Sequence, residues 1–171
     1  MYKRQIDQGI TYINQDAWNG YPTGRTRFME FLRDNEISNV VTVTGDVHSS
    51  WGMDVTVGDG SYDADTGEGA VAVEFVAPGI TSPIEISQQI FDAFISQSPQ
   101  IYYSETESTG YLVLDVQSDK VQSDWYLLDG IAENEGNESL DGSWAVLEDT
   151  AHIIEMDGPE SPNDGEPPLA T

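Results

Sequence analysis

The sequence predicts an α/β protein built in layers. An amphipathic helical pattern is followed closely by a run of β-branched residues, Val40 to Thr44. A helix leading directly into a buried strand is typical of layered α/β folds. Several alternating segments follow, and the last of them form a strand-rich hairpin region toward the carboxyl terminus.

The first helix is predicted to begin at Pro22 or Thr23 and to end near Asn35. Proline fits the first turn of a helix because the amide that it lacks would have no partner there. The preceding segment is rich in turn formers and aromatic residues, so we expect a loop. The apolar stripe expected on this helix consists of Phe28, Phe31 and Leu32.

Three strands are expected in the first half of the chain. Residues 40–44 are β-branched at every position, which indicates a buried strand. Residues 53–57 and 69–77 alternate between apolar and other residues, as strands with two different faces do. The acidic, glycine-rich segment between those two is typical of a hairpin loop.

A second helix and further strands are expected in the rest of the chain. Residues 82–97 form an amphipathic pattern, with Ser82 as N-cap and Pro83 at the first helical position. Residues 110–117 and 121–129 are predicted to form an antiparallel hairpin. Residues 143–156 are predicted to form either another strand pair or an irregular edge.

The chain is expected to hold one domain, residues 6–156. Residues 1–5 carry two of the six basic residues and resemble a non-native start. Residues 157–171 are acidic and rich in proline and contain no aromatic residue. That composition predicts a disordered tail.

Charge and composition exclude several classes of function. Thirty-one acidic residues against six basic ones give a net charge of −25, which repels nucleic acid and anionic membranes and attracts cations. No apolar run approaches the ~20 residues that a membrane-spanning helix needs. The sequence contains no cysteine, so disulfides, thiolate metal sites and thiol nucleophiles are absent.

One chemically distinctive pattern follows the strand at 40–44. Asp46 and His48 are separated by one residue, and His48 is one of only two histidines. If the backbone stays extended through Val47, with a bend at Gly45, both side chains lie on the same side. A carboxylate oxygen and an imidazole nitrogen together suit a metal site, although an ion pair or a capped turn would use the same residues.

Four segments in order resemble the PhoD-type alkaline phosphatases of the calcineurin-like metallophosphoesterase superfamily. They are "DAWNGYPTGR", "VVTVTGDVHSSW", "GEGAVAVEFVAPGITSP" and "GYLVLDVQSDKVQSDWYLLD", and they span roughly Asp16 to Asp129. The resemblance implies the carboxy-terminal half of a four-layer α/β/β/α sandwich that hydrolyses small phosphate monoesters and diesters. It further implies a two-metal centre, with Asp46 binding Ca²⁺ and His48 binding Fe³⁺.

The resemblance also implies that the chain is a fragment. The family's remaining metal ligands, a cysteine among them, come from an amino-terminal half that would be the missing partner. We therefore expect the chain alone to be inactive. Family members are typically exported, which implies an extracellular or periplasmic location.

Several other residues have two interpretations. Trp18 and Tyr21 resemble a family segment that could line the substrate pocket, or they could pack on the core. Arg25 could bind phosphate or pair with an acid. Glu74 could orient a metal ligand or face outward. For the whole chain, the alternative is a non-catalytic acidic, β-rich surface domain in which Asp46 and His48 are structural.

Overall fold

The structure, a computed structural model, describes residues 18–58, 60–82, 88–130 and 137–159. The predictions for residues 1–5, for a helix start at Pro83 and for a tail beyond residue 159 lie outside these ranges. A single turn of 3₁₀ helix, Trp18–Gly20, comes first. The elements after it are α1 (Pro22–Asp34), β1 (Val41–Thr44), β2 (Ser50–Thr56), β3 (Ala70–Val76), α2 (Gln88–Ile95), β4 (Ile101–Glu105), β5 (Thr109–Val116), β6 (Lys120–Leu128), β7 (Glu138–Leu147) and β8 (Ile153–Glu155).

The first sheet has the strand order β1-β3-β2-β4. Strand β1 runs parallel to β3, whereas β2 runs antiparallel to both β3 and β4. Strands β1, β3 and β4 therefore end at the same edge of the sheet, where β2 begins. We call this the carboxyl edge. It is the edge at which open α/β sheets place their ligands.

The second sheet is an antiparallel meander with the order β5-β6-β7-β8. It confirms the predicted hairpin, and residues 143–156 form a strand pair rather than an irregular edge. The two sheets pack face to face through Phe75 and Trp125, whose rings meet edge to face with their centroids 5.8 Å apart. The Trp125 indole N–H also donates to the Val76 carbonyl at 2.9 Å, so the largest buried side chain joins both sheets.

Both helices pack on the other face of the first sheet. Met29 and Leu32 of α1 are buried against Val55 and Ala72, and Phe91 of α2 packs on a separate cluster. The predicted stripe on α1 is therefore only partly right. Leu32 is buried, but Phe28 and Phe31 are 40% and 55% exposed, because the face that meets the sheet is centred on Met29 and Leu32.

The predicted fold class is confirmed as a sheet-rich mixed α/β structure. The described residues supply one helical layer and two stacked sheets. Strand β1 is less buried than its β-branched sequence indicates, because it lies at the edge of the sheet and leaves Thr42 and Val43 exposed. Strand β4 was not predicted. Within the described ranges, no helix is long and apolar enough to cross a membrane.

Candidate metal site at the carboxyl edge

The turn that follows β1 is fixed by backbone and core contacts. The Ala77 amide donates to the Thr44 carbonyl at 2.8 Å, and the Val47 amide donates to the Gly45 carbonyl at 2.9 Å. The Val47 side chain packs on the apolar cluster that contains Trp51. The chain is therefore anchored between Asp46 and His48.

Asp46 and His48 both have left-handed backbone conformations, with φ of 72° and 61°. The prediction of an extended backbone through Val47 is wrong. The bend does not depend on Gly45 either, since a Cβ there would meet open space. Left-handed conformations cost non-glycine residues about 1–3 kcal/mol each, and such strain concentrates at functional sites.

The two side chains differ in their surroundings. Asp46 is exposed, whereas His48 is half-buried against the loop that follows β3. A Cβ placed on Gly79 would lie 3.3 Å from the His48 Cβ, so the absence of a side chain there lets the loop approach. The Gly79 carbonyl accepts a hydrogen bond from the Gly110 amide at 3.1 Å, which ties this loop to the second sheet.

The donor atoms of this turn suit metal ions but supply only part of a coordination shell. Asp46 offers hard carboxylate oxygens and His48 offers an imidazole nitrogen, the two donor types expected for a mixed metal pair. Across the part of the chain that the structure describes, no cluster of three or more histidine, aspartate or glutamate side chains could hold an ion. A complete site would need ligands from elsewhere.

Of the three predicted substrate-binding residues, Arg25 lies away from this turn. The Arg25 guanidinium donates to the Thr56 carbonyl at 3.1 Å, at the end of β2 opposite to the carboxyl edge. Thr56 is six positions along the strand from Ser50, or about 20 Å. Trp18 and Tyr21 come just before α1, and the Trp18 ring lies 5.2 Å from that of Phe28. The substrate roles of these three residues stay predictions, and the structure places Arg25 at the end of the sheet opposite to Asp46 and His48.

A second polar cluster, which the sequence did not indicate, lies between the sheets. Asp54 of β2 is 1% exposed. Its carboxylate accepts hydrogen bonds from the Ile153 amide at 2.9 Å and from the Tyr62 hydroxyl at 2.9 Å, and it meets His152 Nδ1 at 2.8 Å. The Tyr62 hydroxyl also contacts that of Tyr102. His152, directly before β8, thereby helps to connect the second sheet to β2.

Burial dominates the electrostatics of this cluster. It raises the pKa of the Asp54 carboxyl above its ordinary value of 3.8, although the hydrogen bonds from His152, Ile153 and Tyr62 act in the opposite direction. Burial likewise raises the pKa of the Tyr62 and Tyr102 hydroxyls. The cluster lies about 13 Å along β2 from the carboxyl edge, so we interpret it as a structural link between the sheets.

Comparison with known proteins gives consistent results. The sequence model of the PhoD-like phosphatase family matches residues 1–125, which include the turn with Asp46 and His48. Alkaline phosphatase D of Bacillus subtilis (strain 168) is 28% identical over 122 residues. That match covers 70% of this chain but only 20% of the relative.

A solved structure also shares the fold. The structure titled "Structure of PhoD" superposes with a TM-score of 0.72 at 24% sequence identity. The superposition covers 90% of this chain and 29% of that one. The chain therefore spans less than a third of the length of either protein.

Proposed function

Because the chain belongs to the PhoD-like phosphatase family, we propose that it forms part of a metal-dependent phosphohydrolase acting on small phosphate monoesters and diesters. The observation that carries the proposal is the turn at the carboxyl edge. It bears two metal-donor side chains on strained backbone, and it lies inside the segment that the family matches.

The residues of the turn have separate roles in this proposal. Asp46 supplies oxygen donors to a Ca²⁺ ion, and His48 supplies a nitrogen donor to an Fe³⁺ ion. When bound, such a pair of ions stabilises the attacking and leaving oxygens and lowers the pKa of a coordinated water. Val47 and Gly79 restrict the movement of the two donors, because one anchors the backbone between them and the other packs against His48.

The remaining ligands would come from segments outside this chain. The chain spans 20% of the length of alkaline phosphatase D, and its described residues offer two donors at the turn. Catalytic zinc sites, for comparison, generally have three protein ligands for a single ion. We therefore expect the 171 residues alone to be inactive. We also propose that the complete protein acts outside the cytoplasm, in the periplasm or the extracellular space, where it would release phosphate for uptake.

Hydrolysis assays on the complete product of the gene test this proposal. Turnover of p-nitrophenyl phosphate and of bis(p-nitrophenyl) phosphate is measured with Ca²⁺ and Fe³⁺ supplied. Asp46→Ala and His48→Ala should each lower turnover by about 100-fold or more, since a ligand supports several kcal/mol of charge stabilisation.

Asp149→Ala is a matched control for this assay. Asp149 is also an exposed aspartate with left-handed backbone, φ 59°, but it bonds to Ser38 and Asn39 rather than lying at the carboxyl edge. Its variant should keep the wild-type rate. Wild-type turnover in both Asp46→Ala and His48→Ala would contradict the metal role of these two residues, and no turnover in the wild-type product would favour the non-catalytic alternative.

A further inference from the structure

The turn with Asp46 and His48 is connected to a carboxylate buried beneath the sheet. Glu74 lies in the middle of β3, on the face that meets the helices, and is only 7% exposed. The interpretation of Glu74 as an outward-facing strand residue is therefore wrong. Its Oε1 accepts a hydrogen bond from the Thr44 hydroxyl at 2.6 Å.

Most of the residues next to Glu74 in the sheet are apolar. The neighbours of Glu74 on the same face of β3 are Ala72 and Val76, both buried apolar residues, and Met53 lies opposite on β2. Burying a charged or polar group costs free energy, and apolar residues of similar size often stabilise such positions instead. On its other side Glu74 lies opposite Thr42 of β1, and its bond to the Thr44 hydroxyl connects β3 to the end of that strand.

Thr44 is the last residue of β1 and directly precedes the strained turn. Two hydrogen bonds hold it: its carbonyl accepts from the amide of Ala77, the residue after β3, and its hydroxyl donates to Glu74 of β3. Strained backbone persists only where its surroundings determine it. Anchoring Thr44 restricts the backbone that leads into Asp46.

We propose that Glu74 is a positioning residue that acts through Thr44 to hold the Asp46–His48 turn in its metal-binding conformation. This inference rests on the proposed function. It differs from a purely structural role in one respect: the bond should matter more for the turn than for the stability of the fold.

Substitutions of both partners test the bond in the complete product of the gene. Glu74→Leu and Thr44→Val each remove the hydrogen bond with little change in volume, and Thr44→Ser keeps the hydroxyl. Removal of a group that orients a metal ligand typically weakens metal binding by about 10–100-fold. We expect that loss of Ca²⁺ affinity, measured by calorimetry with Ca²⁺ alone, in Glu74→Leu and Thr44→Val but not in Thr44→Ser.

Two further readouts do not depend on metal or activity. In the metal-free protein, the Val47 amide should exchange its hydrogen at least about tenfold faster in Glu74→Leu and Thr44→Val, because its bond to Gly45 depends on the anchored turn. The melting temperature should stay at or above the wild-type value in Glu74→Leu. The double variant Glu74→Leu with Thr44→Val should lose no more Ca²⁺ affinity than either single variant, since each of these three proteins lacks the same hydrogen bond.

The outcomes separate this inference from the proposed function. The positioning role alone would be overturned if Glu74→Leu and Thr44→Val both kept wild-type Ca²⁺ affinity and wild-type exchange of the Val47 amide while Asp46→Ala lost Ca²⁺ binding. Wild-type Ca²⁺ binding in Asp46→Ala would overturn the metal role and the inference together. If Glu74→Leu does not fold, the comparison of Thr44→Val with Thr44→Ser decides the question.

Discussion

Replacing Asp54 should destabilise the fold more than most single substitutions. Asp54→Ala removes the acceptor of the buried Ile153 amide and the partner of both His152 and Tyr62. A buried donor left without its partner costs about 1–3 kcal/mol, and this substitution takes a partner from the Ile153 amide, the Tyr62 hydroxyl and the His152 ring together. We expect a loss of about 3–5 kcal/mol in the free energy of unfolding.

The isosteric variant separates shape from charge. Asp54→Asn keeps an oxygen for the Ile153 amide, so its loss should be only about 1–2 kcal/mol at neutral pH. Urea unfolding, followed by tryptophan fluorescence, measures both values, and equal m-values would show that the native fold is retained. A loss below about 1 kcal/mol in Asp54→Ala would refute the interpretation of this cluster as a link between the sheets.

Asp54→Asn also tests the raised pKa of Asp54. A carboxyl whose folded-state pKa lies above its unfolded value of 3.8 binds a proton more readily in the folded state. Its contribution to the free energy of unfolding therefore increases as pH falls from the folded-state pKa toward 3.8. Wild type should gain stability relative to Asp54→Asn over that window. A relative loss would show that hydrogen bonds and the His152 charge outweigh burial.

Three further predictions concern separate sites. Asp46→Gly should raise the free energy of unfolding by about 0.5–1 kcal/mol, because glycine accepts a φ of 72° without strain, and it should also abolish metal binding. Thermal melts with and without Ca²⁺ measure both effects, and lower stability would contradict the argument from strain. Gly142→Ala should lower the free energy of unfolding in urea by about 1–3 kcal/mol, because the new Cβ would lie 2.7 Å from the Tyr103 ring. Wild-type stability would instead mean that the ring moves freely. Hydrogen bonds from Asn137 lower the pKa of Asp129. Wild type should therefore lose stability relative to Asp129→Asn as pH falls from 3.8 through the lowered pKa, whereas the pH dependence predicted for Asp54 has the opposite sign. Equal pH profiles would contradict that assignment.

Local sequence signals predicted the elements that depend on local chemistry. Pro22 marks the start of α1, where the structure has it, because its ring suits the first helical turn. The hairpin of β5 and β6 followed from alternation and a short turn. Strand β4 escaped prediction because, among the residues that the structure describes, it pairs only with β2, about fifty positions earlier in the chain.

The backbone of the candidate site could not be predicted from the sequence. The sequence pointed to Asp46 and His48 by residue type, yet it placed the bend at Gly45 because glycine bends most readily. The structure places the strain on the two donor residues, since Val47 is held by core contacts that local sequence does not reveal. Asp54 and His152 are 98 positions apart, so their pairing could not be predicted locally.

A crystal structure of the complete gene product grown with Ca²⁺ and Fe³⁺ tests the central claim most directly. Anomalous scattering locates each ion independently of activity. Ions should lie about 2.3–2.6 Å from an Asp46 carboxylate oxygen and about 2.0–2.2 Å from a His48 imidazole nitrogen. Well-ordered side chains of Asp46 and His48 with no anomalous density beside either would contradict it.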